Sequence, residues 1–233
     1  MDISWCENPY FLLFGVLMSL LLVLAARVFL VLRNTGKPIS PVSSQRPLHT
    51  LFVLGSGGHT AEMLSLVGAL NLQRYAPRYY IAAVTDSMSL TRAATLEDHL
   101  QKCALSTSSS SSQKPKFYQV YRSREVGQSY FTSVVTTLLA MMHALWLVAH
   151  IRPDVILCNG PGTCLPICMA GFLLKVVGVK WVVIVYVESI ARVKKLSLTG
   201  LLLYKLGVSD QFFVQWSQLK ARFPNTIYMG RLM

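Results

Sequence analysis

Residues 50–62 read TLFVLGSGGHTAE, and the predicted architecture of the chain starts from this stretch. The apolar run Thr50–Leu54 has the length of a buried strand, glycines follow it at once, and a helical pattern begins near His59. Strand, glycine turn and helix are the opening of a doubly wound α/β unit. Because a helix start presents free N–H groups, we expect an anion such as phosphate to bind at this turn.

The same alternation of strand and helix continues along the rest of the chain. Six more short apolar runs are predicted as strands: Tyr79–Val84, Phe117–Tyr121, Val155–Cys158, Trp181–Val187, Gln211–Val214 and Thr226–Met229. Helical patterns separate them, which predicts an α/β fold, Rossmann-like, with a mostly parallel sheet covered on both faces. The chain ends just after the seventh strand, so we expect any following domain to be another molecule.

An apolar segment precedes this domain: it is uncharged from Tyr10 to Ala26 and continues past Arg27 to Leu32. Residues 10–32 are therefore long enough to span a bilayer. Acidic residues lie before the segment and basic residues after it, which predicts a lumenal N-terminus and a cytosolic domain. A cleaved signal peptide is the alternative, but the segment lacks a basic leader and a small-residue cleavage site. The predicted divisions are a short lumenal end at 1–9, the transmembrane anchor at 10–32, a linker at 33–47 and the domain at 48–233, with a Ser-rich loop at 103–116.

The composition limits the classes of partner. The formal net charge is +12, with 53% hydrophobic and 14% charged residues. The sequence contains no recognisable nucleic-acid module, so an anionic membrane or a phosphorylated substrate is the expected partner. A second apolar helix predicted over Ser129–Ile151 is expected to be buried or to graze the membrane rather than to span it. The five cysteines form no CxxC pair, and we expect buried free thiols and no metal site.

The first candidate site is the glycine turn itself. Gly57, Gly58 and Thr60 are candidates for binding a diphosphate, and His59 is a candidate general base at the mouth of the crevice. Glu62, one turn up the helix, is interpreted as a helix cap.

A second glycine turn and several charged residues follow the later strands, on the edge where open α/β sheets bind ligands. Glu188 ends an apolar strand, and it is either a catalytic carboxylate that holds a sugar hydroxyl or the ion-pair partner of Arg192. The further substrate-binding candidates are Asn159, Gly160, Gly162, Thr163, Arg124 and Arg192. Glycine turns of this kind also occur in dinucleotide-binding oxidoreductases, but the third glycine of that fingerprint is replaced by Thr60.

Six segments together resemble the eukaryotic membrane-anchored subunit of the two-subunit UDP-N-acetylglucosamine transferase of dolichol-linked oligosaccharide synthesis. They are residues 55–60, 122–126, 158–163, 186–189, 214–216 and 228–231. The resemblance implies the N-terminal half of a GT-B glycosyltransferase, similar to the bacterial enzyme that adds GlcNAc to lipid I. It also implies GlcNAc transfer to GlcNAc-diphosphodolichol on the cytosolic face of the endoplasmic reticulum.

The resemblance further implies a soluble partner subunit that binds the donor UDP-GlcNAc, so that this chain needs no cofactor of its own. His59 is then the base or orienting residue by similarity to the bacterial relative. Leu232 and Met233, at the end of the chain, are candidates for the partner interface. The alternative is a pure membrane scaffold for that subunit, without catalytic residues.

Overall fold

The computed structural model describes residues 9–36, 46–106, 113–122, 130–160 and 162–232. The seven predicted strands are all found within this part of the chain. Their bounds are β1 Thr50–Val53, β2 Arg78–Ala83, β3 Lys116–Val120, β4 Val155–Asn159, β5 Val183–Val187, β6 Gln211–Val214 and β7 Ile227–Tyr228. The predicted α/β fold is therefore confirmed.

The strands form one sheet in the order β3-β2-β1-β4-β5-β6-β7, and every neighbouring pair is parallel. β1 lies between β2 and β4, with Val53 in register with Ile81 on one side and Cys158 on the other. The chain therefore moves outward from β1 in one direction and outward from β4 in the other. Crevices for ligands open at such a reversal, beyond the carboxyl ends of the strands.

Helices cover both faces of the sheet, as a parallel sheet requires. Helices α2 and α3 pack over one side around Phe52 and Met63, whereas α4, α5 and α6 pack over the other around Ile156 and Ile184. The bounds are α1 Pro9–Asn34, α2 Gly58–Ala69, α3 Ser87–Ser106, α4 Tyr130–Ile151, α5 Cys164–Val177, α6 Leu198–Leu206 and α7 Ser217–Arg222.

The bounds differ from the predicted ones by more than one residue at three places. Helix α1 runs to Asn34, two residues into the predicted linker, and helix α3 continues to Ser106, so the predicted Ser-rich loop begins helical. Residues 107–112 of that loop and 37–45 of the linker lie outside the described residues. The fifth strand starts at Val183 rather than Trp181, whose side chain is 48% exposed.

Helix α1 is long and apolar enough to cross a membrane, with a mean hydropathy of 2.6 over its most apolar window. Residues 10–26 of this helix are all exposed. Val31, near its end, is 1% exposed and belongs to the core that α4, α5 and α6 share. The end of the helix is therefore built into the domain.

A buried ion pair holds α3 against β2. Arg78 donates to both carboxylate oxygens of Glu97, at 2.6 and 2.7 Å, and the Tyr80 hydroxyl donates to the same carboxylate. Burial and the charge of Glu97 raise the pKa of Tyr80, so it remains a hydrogen-bond donor. The guanidinium also donates to the carbonyl oxygens of Leu72 and Tyr75, which satisfies most of its N–H groups.

We predict that Glu97→Ala destabilises the fold by about 3–5 kcal/mol, because it leaves the Arg78 charge buried without its partner. The melting temperature in detergent should fall by roughly 10 °C for a domain of this size. Asp98→Ala is the matched control, since Asp98 is the exposed neighbour on the same helix. Equal melting temperatures for the two variants would contradict the prediction.

Candidate active site

A cleft opens at the carboxyl edge of the sheet, where the strand order reverses between β1 and β4. It is lined by residues that follow the carboxyl ends of four neighbouring strands. The lining residues are Leu54, Gly55 and Ser56 after β1, Ala83 and Asp86 after β2, Arg122 after β3, and Gly162 and Thr163 after β4. The structure thus brings the two predicted glycine turns to one cleft.

His59 lies between these two turns, and the turns have no side chains there to exclude it. A Cβ atom at Gly55 would lie 2.7 Å from the His59 Cβ, and one at Gly160 would lie 2.6 Å from its Nδ1. Gly160 also has a φ of +88°, which favours glycine. Both turns therefore need glycine so that the imidazole can sit between β1 and β4.

Asn159 and Glu62 fix the imidazole. The Asn159 amide Nδ2 donates to Glu62 Oε2 at 3.0 Å, and its Oδ1 lies 3.2 Å from His59 Nδ1. The Ser189 hydroxyl donates to the other Glu62 oxygen at 2.9 Å. Residues from the ends of β4 and β5 and from helix α2 thus form one continuous hydrogen-bond network.

This network selects one tautomer of His59. An ionised carboxylate only accepts hydrogen bonds, so the Asn159 amide must turn its NH₂ toward Glu62 and its oxygen toward His59. Nδ1 of His59 must then carry a proton, since it faces an acceptor. In the neutral imidazole the lone pair is therefore on Nε2, which is the nitrogen that can accept a proton from a substrate.

Glu62 is a candidate site residue that the sequence interpretation missed. It was read as a helix cap, but helix α2 has Gly57 at its cap position without a side-chain capping bond. The Glu62 carboxylate instead accepts hydrogen bonds from Asn159 and Ser189, which are 97 and 127 residues away in the chain. The available signal was a carboxylate one turn after the candidate base, on the same helix.

Thr60 is placed differently from the diphosphate-binding residue that was predicted. Its side chain is fully buried, and its hydroxyl donates to the carbonyl oxygen of Gly55 and lies 2.6 Å from the Ser89 hydroxyl. Ser89 in turn donates to Asp86 at 2.6 Å. These bonds favour a role in holding the glycine turn in shape, and binding of substrate by Thr60 stays a prediction.

Glu188 is also buried rather than facing the cleft. Its Oε2 accepts from the backbone N–H and the hydroxyl of Ser197, and its Oε1 accepts from the Ser189 N–H. Burial raises the pKa of Glu188, and the hydrogen bonds from Ser197 and Ser189 partly offset this effect. Ser197 also contacts the Tyr186 hydroxyl, which donates to the Gly160 carbonyl. The geometry favours bracing of the second glycine turn, and a catalytic role of Glu188 stays a prediction.

Only some of the other predicted binding residues line the cleft. Gly162 and Thr163 line the cleft, whereas Gly57 and Gly58 are exposed at the start of α2. The basic lining residue is Arg122, which donates to Ser56 at 3.3 Å. Arg192 is exposed in the turn after β5. Its charge lies close enough to Glu188 to oppose part of the rise that burial causes in the pKa of that carboxyl. Arg124 lies outside the described residues.

The end of the chain packs beside the turn that follows β5. The Leu232 N–H donates to the Gln215 side chain at 2.7 Å, and Arg231 stacks on the Trp216 ring at 4.6 Å. The Trp216 indole N–H donates to the Ile190 carbonyl at 2.7 Å. Met233 lies outside the described residues, and the partner-interface assignment of both terminal residues stays a prediction.

The prediction of buried thiols is correct for the three cysteines in and after β4 and wrong for Cys103, which is exposed on helix α3. Cys158, Cys164 and Cys168 are each fully buried and free, and burial raises the pKa of Cys158 well above its usual value. Among the residues that the structure describes, no cluster of histidine, cysteine or carboxylate side chains is arranged to hold a metal ion.

Fold and site together define a class: a Rossmann-like α/β domain with a cleft at the switch point of a parallel sheet and a histidine beside it, preceded by a helix able to span a membrane. The family model described as "Oligosaccharide biosynthesis protein Alg14 like" matches residues 50–232. The chain therefore belongs to the Alg14 family.

Curated relatives support this membership over nearly the whole chain. The proteins named UDP-N-acetylglucosamine transferase subunit ALG14 from Rattus norvegicus and Homo sapiens are 45% and 43% identical to it. The alignments cover 92% and 90% of this chain and 94% and 92% of theirs. The Schizosaccharomyces pombe relative of the same name is 40% identical, over 90% of this chain and 96% of its own length.

One solved structure among those compared shares the fold. A putative UDP-N-acetylglucosamine 2-epimerase from Listeria monocytogenes superposes with a TM-score of 0.50 and 15% identity, over 77% of this chain and 42% of that one. MurG from Acinetobacter baumannii gives a TM-score of 0.49 and 18% identity, over 79% and 44%. This chain thus spans less than half the length of either protein.

We predict that Gly160→Ala destabilises the domain by about 1–3 kcal/mol, since a side chain is strained at positive φ. It should also displace His59, because its Cβ would collide with the imidazole. Thermal unfolding and the imidazole resonances of His59 are the two measurements.

Gly68→Ala is the control for this change. Gly68 lies in helix α2 with nothing within 4 Å of its would-be Cβ, so alanine should stabilise the protein by about 0.5–1 kcal/mol. Unchanged His59 resonances in Gly160→Ala would show that the turn does not position the imidazole.

Proposed function

We propose that this chain is the membrane-anchored, acceptor-side subunit of a UDP-GlcNAc transferase. Its reaction is the addition of the second GlcNAc to GlcNAc-diphosphodolichol, on the cytosolic face of the endoplasmic reticulum. A soluble subunit supplies the binding site for the donor UDP-GlcNAc. Membership of the Alg14 family and the names of the relatives, which are called transferase subunits, support this proposal.

The observation that carries the chemical part is the orientation of His59 beside the cleft. Its Nδ1 is committed to Asn159, so its Nε2 is free to take a proton in the neutral form. In an inverting transfer the acceptor hydroxyl oxygen bonds to the anomeric carbon of the donor sugar while the bond from that carbon to UDP breaks. His59 Nε2 receives the hydroxyl proton, and UDP leaves with the bonding electron pair.

The acceptor diphosphate would lie on the second glycine turn and the start of helix α5. Gly162 and Thr163 line the cleft at this helix start, where the positive end of the helix dipole attracts an anion. Arg122 is the basic side chain on the cleft wall and complements the charge. Arg124 and Arg192 remain further candidates for this role.

Glu62 is a positioning residue in this mechanism. It touches neither the cleft wall nor the reacting atoms, but it holds the Asn159 amide in the orientation that keeps the proton on Nδ1 of His59. Its negative charge, 3.6 Å from Nδ1, also stabilises the imidazolium that forms when Nε2 takes the proton.

We predict that GlcNAc transfer to a short-chain GlcNAc-diphospholipid requires both subunits. This chain alone should give no product from UDP-GlcNAc, whereas a mixture with the soluble subunit of the same transferase should be active. Product formation by this chain alone would mean that one domain binds both substrates, and the half-enzyme proposal would fail.

In the assembled complex, His59→Ala should lower kcat by about 10²–10⁴-fold, the usual contribution of a general base. KM for the acceptor should change far less, because the diphosphate contacts lie elsewhere in the cleft. His99→Ala, an exposed histidine on α3, is the control and should retain full activity. Full activity of His59→Ala in an intact complex would leave the scaffold function as the better account.

A further inference from the structure

The Glu188 carboxylate is fully buried, and hydrogen bonds hold both of its oxygens. Oε1 accepts the Ser189 N–H at 3.2 Å, and Oε2 accepts the N–H and the hydroxyl of Ser197 at 3.0 and 3.1 Å. Burial of a carboxylate is costly unless its oxygens are bound in this way. Glu188 is not among the residues that line the cleft, so any effect it has on a reaction there must pass through the groups that it holds.

Helix α6 leaves room for this carboxylate at Gly200. A Cβ atom at Gly200 would collide with Glu188 Oε2 and would lie 3.0 Å from Ser197 Oγ. Gly200 lies in the first turn of α6, and alanine is ordinarily the better residue in a helix. The missing side chain at this helical position therefore matches the placement of Glu188.

One hydrogen-bonded route leads from Glu188 to His59 through Ser189. The N–H of Ser189 is bound to Glu188, and its hydroxyl donates to Glu62 Oε1 at 2.9 Å. Glu62 Oε2 accepts from the Asn159 amide, whose oxygen faces His59 Nδ1. Ser189 thus joins the two carboxylates, and its hydroxyl helps to decide which Glu62 oxygen is left for Asn159. We call this the Ser189 route.

A second route leads from Glu188 through Ser197 to the glycine turn beside the imidazole. The Ser197 hydroxyl lies 3.0 Å from the Tyr186 hydroxyl, which donates to the Gly160 carbonyl at 3.3 Å. Gly160 is also the residue at which a Cβ atom would lie 2.6 Å from His59 Nδ1. A shift of this turn would therefore move the surface against which the imidazole packs. We call this the Ser197 route.

We propose that Glu188 is a positioning residue for His59 and that it acts along both routes at once. The proposal rests on the proposed function, in which His59 Nε2 takes the proton of the acceptor hydroxyl. Through the Ser189 route Glu188 supports the tautomer of His59 that carries its proton on Nδ1. Through the Ser197 route it fixes the place of the ring.

The hydrogen-bond pattern requires a carboxylate at position 188. Its two oxygens accept backbone N–H groups, from Ser189 on one side and from Ser197 on the other. A backbone N–H cannot become an acceptor, and a glutamine amide has an oxygen at one end only. Glu188→Gln therefore turns an NH₂ group toward a backbone N–H in either orientation. One route is broken although the size of the side chain is unchanged.

The test follows kcat, the acceptor KM and the ring nitrogens of His59 in the full chain, with the soluble subunit added for the kinetics. In Glu188→Gln we expect kcat to fall by about 10- to 100-fold, the usual effect of misplacing a reacting group from a distance. The acceptor KM should change far less. The ¹⁵N resonances of the His59 ring, assigned by their loss in His59→Ala, should show a smaller share of the Nδ1–H tautomer.

Gly200→Ala disturbs Glu188 without altering a residue of either route. Its methyl group should displace Oε2, lower kcat in the same way and move the His59 resonances. Gly68→Ala is the matched control, because Gly68 is also helical and has nothing within 4 Å of its would-be Cβ. This control should keep the wild-type kcat and the wild-type His59 resonances.

Two milder variants test each route separately, also in the case that Glu188→Gln does not fold. Ser189→Ala removes the hydroxyl that binds Glu62 and should lower the share of the Nδ1–H tautomer of His59. Tyr186→Phe keeps the ring but removes the bond to the glycine turn, so it should move the His59 resonances without a change of tautomer. Wild-type resonances in both variants would overturn the proposal.

The remaining outcomes separate positioning from the other roles of Glu188. Loss of transfer in Glu188→Gln with unchanged His59 resonances would overturn the proposal and make Glu188 a catalytic residue. A lower melting temperature with wild-type kcat and resonances would overturn it too, because Glu188 would then serve stability alone. An inactive wild-type complex would refute the proposed function, whereas the His59 resonances of this chain would still decide whether Glu188 positions the ring.

Discussion

Burial of the parallel sheet on both faces governs the arrangement of this protein. A parallel strand is covered by helices above and below, so its side chains are apolar throughout, as the fully buried β1 and β2 illustrate. The crossover helices must then divide into two layers, and the strand order must reverse once, between β1 and β4. All the carboxyl ends meet at one edge, and the cleft opens at the reversal. The position of the site is thus a consequence of how the sheet is covered.

Close packing at that edge fixes the position of the His59 imidazole beside the cleft. The imidazole of His59 fits only because Gly55 and Gly160 have no side chains. Its orientation depends on Asn159 and Glu62, so helix α2 and the end of β4 hold one ring together. A polar network of this kind is stable in a partly buried place only when its donors and acceptors are matched. The Asn159 amide achieves this match by bridging an acceptor-only carboxylate and a proton-bearing nitrogen.

A second set of contacts joins helix α1 to the domain. Helix α1 ends inside the domain core at Val31, and Arg27 satisfies the last carbonyls of α5. The end of helix α1 therefore packs directly against the domain, so the two are not connected by a linker alone. Under the proposed function the acceptor is linked to a lipid, and a domain whose position on helix α1 is fixed can present its cleft to the acceptor diphosphate at the membrane surface.

Periodicity and glycine placement were enough to predict the seven strands, their alternation with helices and an N-terminal helix long and apolar enough to span a membrane. Burial and turn geometry are local properties of the chain, which is why these predictions succeeded. The same patterns identified the two glycine turns and His59. They did not reveal that Glu62 reaches Asn159 and Ser189, that Thr60 points into the core, or that Glu188 braces a turn from behind. These contacts join residues as far as 127 positions apart. They exist only once the strand order has brought β1, β4 and β5 side by side and has set which face of each helix meets the sheet.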